Sequence, residues 1–168
     1  TIAAREGARV ISSEPMRARQ FNRAAEAATG EALIFLHADT LLPPGAAEAV
    51  TTALRHGAQF GGFRLRFAEK SVRLAVASCL INLRTATTRC PWGDQAQFIT
   101  RTTFLGAGGF QEIPLMEDYE LAARMKRRGG SVILPLAVTT SGRRFLEKGL
   151  LRTAAVNWRI IALYKLGV

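Results

Sequence analysis

A short apolar run between two helix-like segments constrains the fold more than any other feature of the sequence. Residues 32–36 read ALIFL, without a polar side chain and too few for a helix of their own. Such a run is typical of a strand that is covered on both faces, as in a parallel sheet. We therefore predict a buried parallel strand over residues 31–36, with His37, Asp39 and Thr40 at its carboxyl end.

The flanking segments have helical periodicity. Upstream, Ser13 is suited to cap a helix in which apolar residues recur at positions 21, 24, 25 and 28. Downstream, a pair of prolines at 43 and 44 opens a helix that extends to Arg55. The stretch before Ser13, residues 8–12, is predicted to be a short strand.

The same alternation continues along the rest of the chain. Strands are predicted over residues 61–67, 96–100 and 132–134, and loops over residues 91–95 and 106–114. Helices are predicted over residues 71–88 and 117–128, and a C-terminal amphipathic helix within residues 150–168, from about 150 to 166. Alternating strands and helices indicate an α/β fold, and 168 residues fit one domain, residues 1–168.

The charge of the chain favours an anionic partner. The sequence has 23 Lys and Arg against 13 Asp and Glu, a formal net charge of +10, and 19 of the 23 are arginines. The planar guanidinium binds phosphate in a bidentate manner, so nucleotide diphosphates, nucleic acids and acidic lipid headgroups stay candidate partners. A genome rich in Ala and Arg codons would give the same bias, so charge alone identifies no ligand.

Cysteine usage and hydropathy narrow the class of protein. The two cysteines, Cys79 and Cys90, form neither a CxxC pair nor a His/Cys cluster. The sequence therefore indicates no disulfide framework and no structural zinc site, and the expected location is a reducing cytosol. No apolar run approaches the roughly 20 residues that span a bilayer.

Asp39 is the first candidate for a functional side chain. It follows the most apolar predicted strand, and in open α/β sheets ligands bind beyond the carboxyl ends of the strands. Its carboxylate could bind Mg²⁺ or Mn²⁺ that in turn holds a diphosphate, or it could only cap the turn that follows. Asp94, Glu117 and Asp118 are further candidates, in a loop and at a helix start, where acidic residues also stabilise the helix dipole.

Five motifs in one order make the chain resemble a family of enzymes. They are RARQFN at residues 17–22, LHADT at 36–40, GDQ at 93–95, GGF with MED at 108–110 and 116–118, and SGRRF at 141–145. The set is similar to that of a bacterial branch of the family 2 glycosyltransferases and covers nearly the whole chain. The resemblance implies a Rossmann-like, three-layer α/β/α nucleotide-diphospho-sugar transferase (GT-A) fold. It also implies an inverting enzyme that moves a sugar from a nucleotide-diphosphate donor to a hydroxyl acceptor with the help of a divalent metal.

The resemblance gives roles to the acidic motifs. Asp39 would bind the Mg²⁺ or Mn²⁺ that bridges the donor diphosphate, and Asp118 would be the general base. Glu117 would orient either the base or the acceptor. Asp94 and Gln95 would lie on the acceptor side, although either could instead only fix its loop.

The same resemblance implies contacts to the donor diphosphate from four polar residues, Arg17, Asn22, Arg143 and Arg144. The two adjacent arginines follow a predicted strand, and a guanidinium suits a leaving diphosphate whose charge grows as the glycosidic bond breaks. For one of these two arginines, a place in a solvated basic turn is an equal expectation.

The sequence departs from the family pattern in three places. His37 stands where the family has the first Asp of its metal-binding DxD motif, so within this motif Asp39 alone offers a carboxylate to a metal. Met16 stands where the first motif usually has Gly. The family's first strand and the acidic loop that hold the nucleotide base have no counterpart. We therefore expect a chain truncated at its N-terminus, which binds nucleotide sugars poorly and tends to self-associate.

Two other classes of function stay open. A nucleic-acid-binding module would explain the charge, but Phe63 and Phe67 alternate with Arg64 and Arg66, so the aromatics and arginines face opposite ways, and we expect no nucleic acid. A membrane-surface module would use the final helix, where Trp158 lies among apolar residues and arginines. We expect instead that this helix packs on the domain. It could bring a lipid-linked acceptor near, with peripheral contact at the inner face of a membrane.

Overall fold

The computed structural model describes residues 2–166 and is a mixed α/β structure. Its helices are α1 (Ile2–Arg5), α2 (Arg17–Ala27), α3 (Ala46–Arg55), α4 (Val72–Thr88), α5 (Arg101–Gly106), α6 (Glu117–Arg128), α7 (Arg143–Lys148) and α8 (Leu150–Lys165). Its strands are β1 (Ala32–Phe35), β2 (Thr40–Leu41), β3 (Phe60–Phe67), β4 (Gln97–Thr100) and β5 (Ser131–Thr140), and a 3₁₀ turn (Gly93–Gln95) precedes β4. The predicted α/β class is confirmed. Positions 167 and 168, the end of the predicted C-terminal segment, lie outside the described residues.

The strands form a five-stranded mixed sheet in the order β1-β4-β3-β5-β2. The strands β1, β3 and β5 run in one direction, and β4 and β2 run against them. The prediction of a parallel strand over residues 31–36 is therefore wrong, because β1 is an edge strand of the described sheet and pairs with the antiparallel β4. Its two faces are nevertheless both in contact with core clusters. An apolar run indicates that both faces of a strand are covered. It does not indicate whether the neighbouring strand runs parallel or antiparallel to it.

Helices cover both faces of the sheet. On one face α2, α5 and α6 pack against a cluster that includes Leu33, Phe35, Phe60 and Ile99. On the other face α3 packs against a cluster that includes Phe63, Phe98, Leu134 and Val138. Phe98 and Ile99 are successive residues of β4 and point to opposite faces, as side chains of a strand must. The sheet thus forms the middle layer between two sets of helices.

The chain crosses one end of the sheet between β1 and β2. These strands stand at opposite ends of the strand order, yet only residues 36–39 separate them. Outer strands of a flat five-stranded sheet would lie about 19 Å apart, which four intervening residues that include a turn cannot bridge. The sheet is therefore curled. A 2.9 Å hydrogen bond between the Thr40 and Thr140 hydroxyls closes the crossing against the end of β5.

Two predictions near the start of the chain are wrong. Residues 8–12 form no strand, and Val10 is half exposed, so the segment has no apolar face that a sheet could bury. Helix α2 begins at Arg17 rather than just after Ser13, because Met16 has an extended backbone and packs against the adjacent core cluster. Ala24, expected on the apolar face, is exposed.

The later elements agree better with the sequence, apart from the length of β5 and two short helices. Helix α6 has the predicted bounds, with acidic residues in its first turn and basic residues in its last, as the helix dipole favours. Strand β5 has ten residues rather than the three predicted, because a bulge accommodates Pro135, which has no N–H for the ladder. On either side of the bulge, Phe63 of β3 pairs with Leu134 and Arg64 pairs with Ala137. Helices α5 and α7 have no counterpart among the predicted elements.

Candidate functional site

A pocket of about 330 Å³ opens where β1, β3 and β5 end. It is lined by segments far apart in sequence: the crossing between β1 and β2, the 3₁₀ turn, the start of α6 and the turn after β5. Predicted site residues in its wall are Arg17, Asp39, Asp94, Asp118 and Arg144. The other predicted site residues, Asn22, Gln95, Glu117 and Arg143, are not part of the described pocket wall.

Backbone amides hold Asp118 in one orientation. The Gly93 N–H donates to Asp118 Oδ2 over 2.7 Å, and the Tyr119 N–H donates to Oδ1 over 2.8 Å. Gln97 anchors the same residue, since its Nε2 donates to the Asp118 carbonyl over 2.8 Å. Each carboxylate oxygen keeps a further lone pair, so Asp118 can still accept a proton from a ligand in the pocket.

Gly93 leaves no room for a side chain. A Cβ at this position would lie 2.8 Å from His37 Nε2 and 2.9 Å from Asp118 Oδ2. Both distances are shorter than ordinary van der Waals contact, so only glycine lets the backbone of the 3₁₀ turn approach the two side chains. The glycine of the GDQ motif therefore serves the geometry of Asp118.

Arg17 is fixed in the pocket wall by Glu117. The Arg17 Nε donates to Glu117 Oε1, and Glu117 is buried. Arg17 Nη1 also lies 3.5 Å from His37 Nε2. Burial and the positive charge of Arg17 lower the pKa of His37, so its imidazole is neutral at pH 7. Glu117 acts on the pocket through Arg17 and contributes no surface of its own to it.

Asp94 is the carboxylate with the most perturbed proton affinity. Burial raises the pKa of Asp94 to about 6, against the opposing charge of Arg84, and the Asp118 carboxylate adds to the rise. Asp94 Oδ1 is enclosed and has no hydrogen-bond partner among the described residues. A carboxylate with a raised pKa and a free oxygen in a pocket is a candidate for proton transfer.

Asp39 offers an exposed carboxylate to the pocket. Its Oδ1 lies 3.4 Å from Thr40 Oγ1. Within residues 2–166, no group of three His, Cys, Asp or Glu side chains could hold a metal ion by itself. Protein-bound Mg²⁺ commonly uses one or two carboxylates, and substrate phosphates and water complete its shell. A metal ion at Asp39 would therefore need most of its ligands from a bound substrate and from water.

The two adjacent arginines that follow β5 differ in their position relative to the pocket. Glu69 accepts a 2.7 Å hydrogen bond from the Gly142 N–H, which lowers the pKa of Glu69 and ties the turn to the end of β3. From this turn Arg144 reaches the pocket wall. Arg143 is 80% exposed and its nearest carboxylate, Glu147, is 4.0 Å away. Both arginines are exposed at the start of α7, and of the two only Arg144 lines the pocket.

Two of the predicted ligand contacts bind backbone instead. Asn22 Oδ1 accepts from the Phe110 N–H, and its Nδ2 donates to the Phe110 carbonyl, each over 2.9 Å. Gln95 is fully buried, where its Oε1 accepts from the Trp92 N–H and its Nε2 donates to the Phe63 carbonyl. The polar atoms of both side chains therefore hold backbone groups, and neither side chain is part of the described pocket wall.

Helix α8 supplies a wall that the motifs do not indicate. Its lining residues are Thr153, Asn157, Ile160 and Ile161. Their spacing places them on one helical face, but the same spacing occurs in any packed helix, so it could not identify a site. Edge-to-face rings of Tyr119 and Tyr164, with centroids 5.8 Å apart, join α8 to α6. No sequence motif singles out Trp92, which lies in the pocket wall, or Glu69, which accepts the hydrogen bond from the Gly142 amide.

No helix within residues 2–166 is both long and apolar enough to cross a membrane. Comparison of the chain with protein-family models, curated proteins and solved structures found no significant match. The case for a function therefore rests on the motifs and on the geometry of the pocket.

Proposed function

We propose that the protein is an inverting glycosyltransferase of the GT-A fold, which moves a sugar from a nucleotide-diphosphate donor to a hydroxyl acceptor with Mg²⁺ or Mn²⁺. The observation that carries the proposal is convergence: Asp39, Asp94, Asp118 and Arg144 come from four separate motifs and line one pocket. The position of that pocket beyond the strand ends, with helices on both faces of the sheet, supports the fold.

The cationic side chains would hold the donor diphosphate. Arg144 has no carboxylate within ion-pair distance among the described residues, so its guanidinium is free for phosphate oxygens, while Glu117 keeps Arg17 in place. A divalent cation held by Asp39 would neutralise the charge that develops on the leaving diphosphate.

Asp118 would take the proton of the acceptor. The acceptor oxygen attacks the anomeric carbon opposite the diphosphate, the bond to the diphosphate breaks, and the configuration inverts. The proton of the attacking hydroxyl passes to the Asp118 carboxylate, an assistance worth roughly 10²- to 10⁴-fold in rate. The Gly93 amide keeps that carboxylate aimed before the acceptor binds.

Asp94 would set the pH dependence of the reaction. Burial raises its pKa to about 6, so Asp94 is protonated in mildly acidic solution and ionised at pH 7. Its ionisation adds negative charge near Asp118 and Asp39, which favours proton transfer to Asp118 and cation binding at Asp39. Activity should therefore rise as the pH increases through about 6.

Donor turnover tests the proposal. The protein is incubated with UDP-, GDP- and dTDP-sugars at high concentration, because weak donor binding is expected, together with MnCl₂, and release of the nucleoside diphosphate is measured. We expect metal-dependent release from one donor class, lost in Asp39→Asn and Asp118→Asn and retained in Glu48→Gln, an exposed acid of α3 outside the pocket. Equal release by all these variants would contradict the proposal.

A further inference from the structure

We call the pocket that Asp39, Asp94 and Asp118 line the carboxylate pocket. A second cavity, which we call the α4–α8 groove, adjoins it. It has a volume of about 220 Å³, and its walls are mainly apolar: Ala77, Leu80, Ile81, Phe145, Ala154 and Trp158. The groove and the carboxylate pocket share lining residues, among them Trp92 and Asp94. A ligand with its reactive group in the pocket could therefore extend an apolar part into the groove.

A basic cavity of about 380 Å³ meets the same groove. It shares Arg84, Trp92 and Trp158 with the groove and adds Lys126 and Arg127 of α6. No carboxylate belongs to its described wall. Together the cavity and the groove present Arg84, Lys126 and Arg127 with two indole rings, against the Asp94 carboxylate in the groove wall, and this excess of positive charge complements a ligand that is both anionic and apolar.

Arg84 is the cation that the groove and the basic cavity share. Its guanidinium carbon lies 3.6 Å from the centre of the Trp92 ring. Its Nη2 donates to Gln95 and Thr85, but Nε and Nη1 are enclosed without a hydrogen-bond partner among the described residues. These two nitrogens are closed off from the cavity, so Arg84 would attract an anion through its charge, whereas Lys126 and Arg127 are exposed and could donate hydrogen bonds to it.

We propose that the α4–α8 groove binds the hydrocarbon chain of an amphiphilic acceptor whose phosphate group lies against Arg84, Lys126 and Arg127. In calling this amphiphile the acceptor the inference rests on the proposed function, whereas its binding does not. An apolar wall selects the chain, and the three cations select the phosphate. Other occupants of the same face, a flat lipid surface or a second copy of this chain, make different predictions.

The two tryptophans of the chain allow a direct test, since Trp92 and Trp158 both line the groove. The probe is 12-bromododecyl phosphate below its critical micelle concentration, and bromine on the chain quenches indole fluorescence at contact. We expect saturable quenching, about tenfold weaker binding of 12-bromododecanol, and no quenching by inorganic phosphate. Since each buried CH₂ contributes about fourfold in affinity, the decyl phosphate, which is two CH₂ groups shorter, should compete about sixteenfold more weakly than the dodecyl phosphate.

Matched leucines on α4 distinguish a groove from a flat surface. Leu80 and Leu83 are 58% and 60% exposed, but only Leu80 belongs to the described groove wall. Leu80→Asn should weaken binding of the bromododecyl phosphate about tenfold, and Leu83→Asn should leave it within twofold. Equal effects of the two variants, or binding only to vesicles of anionic lipid, would overturn the proposal in favour of a membrane surface.

Charge variants test the phosphate contact without disturbing the buried arginine. Lys126 and Arg127 are exposed on α6, as is Arg128, which lies outside the described cavity. The double change Lys126→Gln with Arg127→Gln should remove most of the preference for the phosphate over the alcohol, and Arg128→Gln should keep it. An unchanged preference in the double variant would overturn the phosphate assignment.

Three further results separate this inference from the proposed function. Absence of quenching, with Mn²⁺-dependent pyrophosphate binding intact, overturns the groove and leaves the transferase proposal standing. Quenching without donor binding overturns the transferase proposal and with it the name acceptor. A dimer in sedimentation whose tryptophans are shielded from the probe would assign the face to a second copy and overturn the inference.

Discussion

The two cavities that meet at Trp92 are built in different ways. In the carboxylate pocket, Asp118 is oriented by the amides of Gly93 and Tyr119, so backbone geometry fixes where its oxygens point. In the α4–α8 groove the walls are side chains of two helices, and the one cation stacked on an indole lacks hydrogen-bond acceptors for two of its nitrogens. The Asp118 carboxylate is therefore held in one orientation before any ligand binds. The groove selects by shape, apolar surface and charge.

The largest expected effect is at the proposed base. Asp118→Asn should lower sugar transfer by roughly 10²- to 10⁴-fold, because the amide cannot take the acceptor proton. Binding of Mn²⁺ with pyrophosphate should persist, and so should quenching by the bromododecyl phosphate. Single-turnover kinetics with calorimetry separate the two effects. Transfer at the parental rate would give the base role to another acid of the pocket wall, with Asp94 the next to test.

The second prediction concerns the backbone that orients this base. Gly93→Ala places a Cβ where His37 Nε2 and Asp118 Oδ2 now lie within 3 Å of it, so one of the two side chains must move. A misplacement of about 1 Å can cost roughly 10²-fold in rate, and we expect a loss of that size in kcat. Gly106→Ala is the matched control, since nothing lies within 4 Å of a Cβ at that helical position. Parental kcat for Gly93→Ala would mean that the Gly93 amide does not orient the base.

The third prediction compares the adjacent arginines after β5. Both side chains are exposed, but only Arg144 lines the pocket, so the same truncation should have different effects at the two positions. Arg144→Ala should weaken pyrophosphate binding about tenfold, as expected for loss of one charged hydrogen bond, and Arg143→Ala should change it less than twofold. Isothermal calorimetry measures both, and equal losses would show that the turn acts only through its net charge.

The smallest expected effect is on stability and pH. Because the folded-state pKa of Asp94 is raised to about 6, the folded protein binds more protons than the unfolded chain between pH 4 and 6. Asp94 therefore makes stability fall as the pH rises through that window. Asp94→Asn should lack this part of the fall. Between pH 4 and pH 7 its Tm should therefore fall by a few degrees less than the Tm of the parent. An identical pH dependence of Tm in the variant would contradict the raised pKa.

Some features of the molecule can be predicted from residues that are close together in the sequence. The charges at the two ends of α6 and the glycines that follow it define its bounds, because capping and dipole effects act within one turn. The position of Asp39 after an apolar run likewise predicts a place at the end of the sheet, where the pocket lies. Both inferences need only neighbours in the chain.

Other features depend on contacts between distant segments. Asn22 and Gln95 are polar residues within motifs, and only the fold shows that their amides are used on the Phe110 and Phe63 backbones. The direction of the strand next to β1 and the bulge at Pro135 arise from pairing partners remote in sequence. The α4–α8 groove is a product of packing between two helices and has no motif at all.

The site assignment is tested most directly by electron paramagnetic resonance of Mn²⁺ with pyrophosphate, a probe that needs no contacts to a nucleotide base. Free Mn²⁺ gives a six-line signal that falls when the ion is immobilised on the protein. With Asp39 present, we expect the signal to fall when both protein and pyrophosphate are added, beyond the fall with pyrophosphate alone. Asp39→Asn should abolish that additional loss, and Glu48→Gln should retain it. An equal loss of signal in Asp39→Asn and the parent would contradict the assignment of the metal and diphosphate to this pocket.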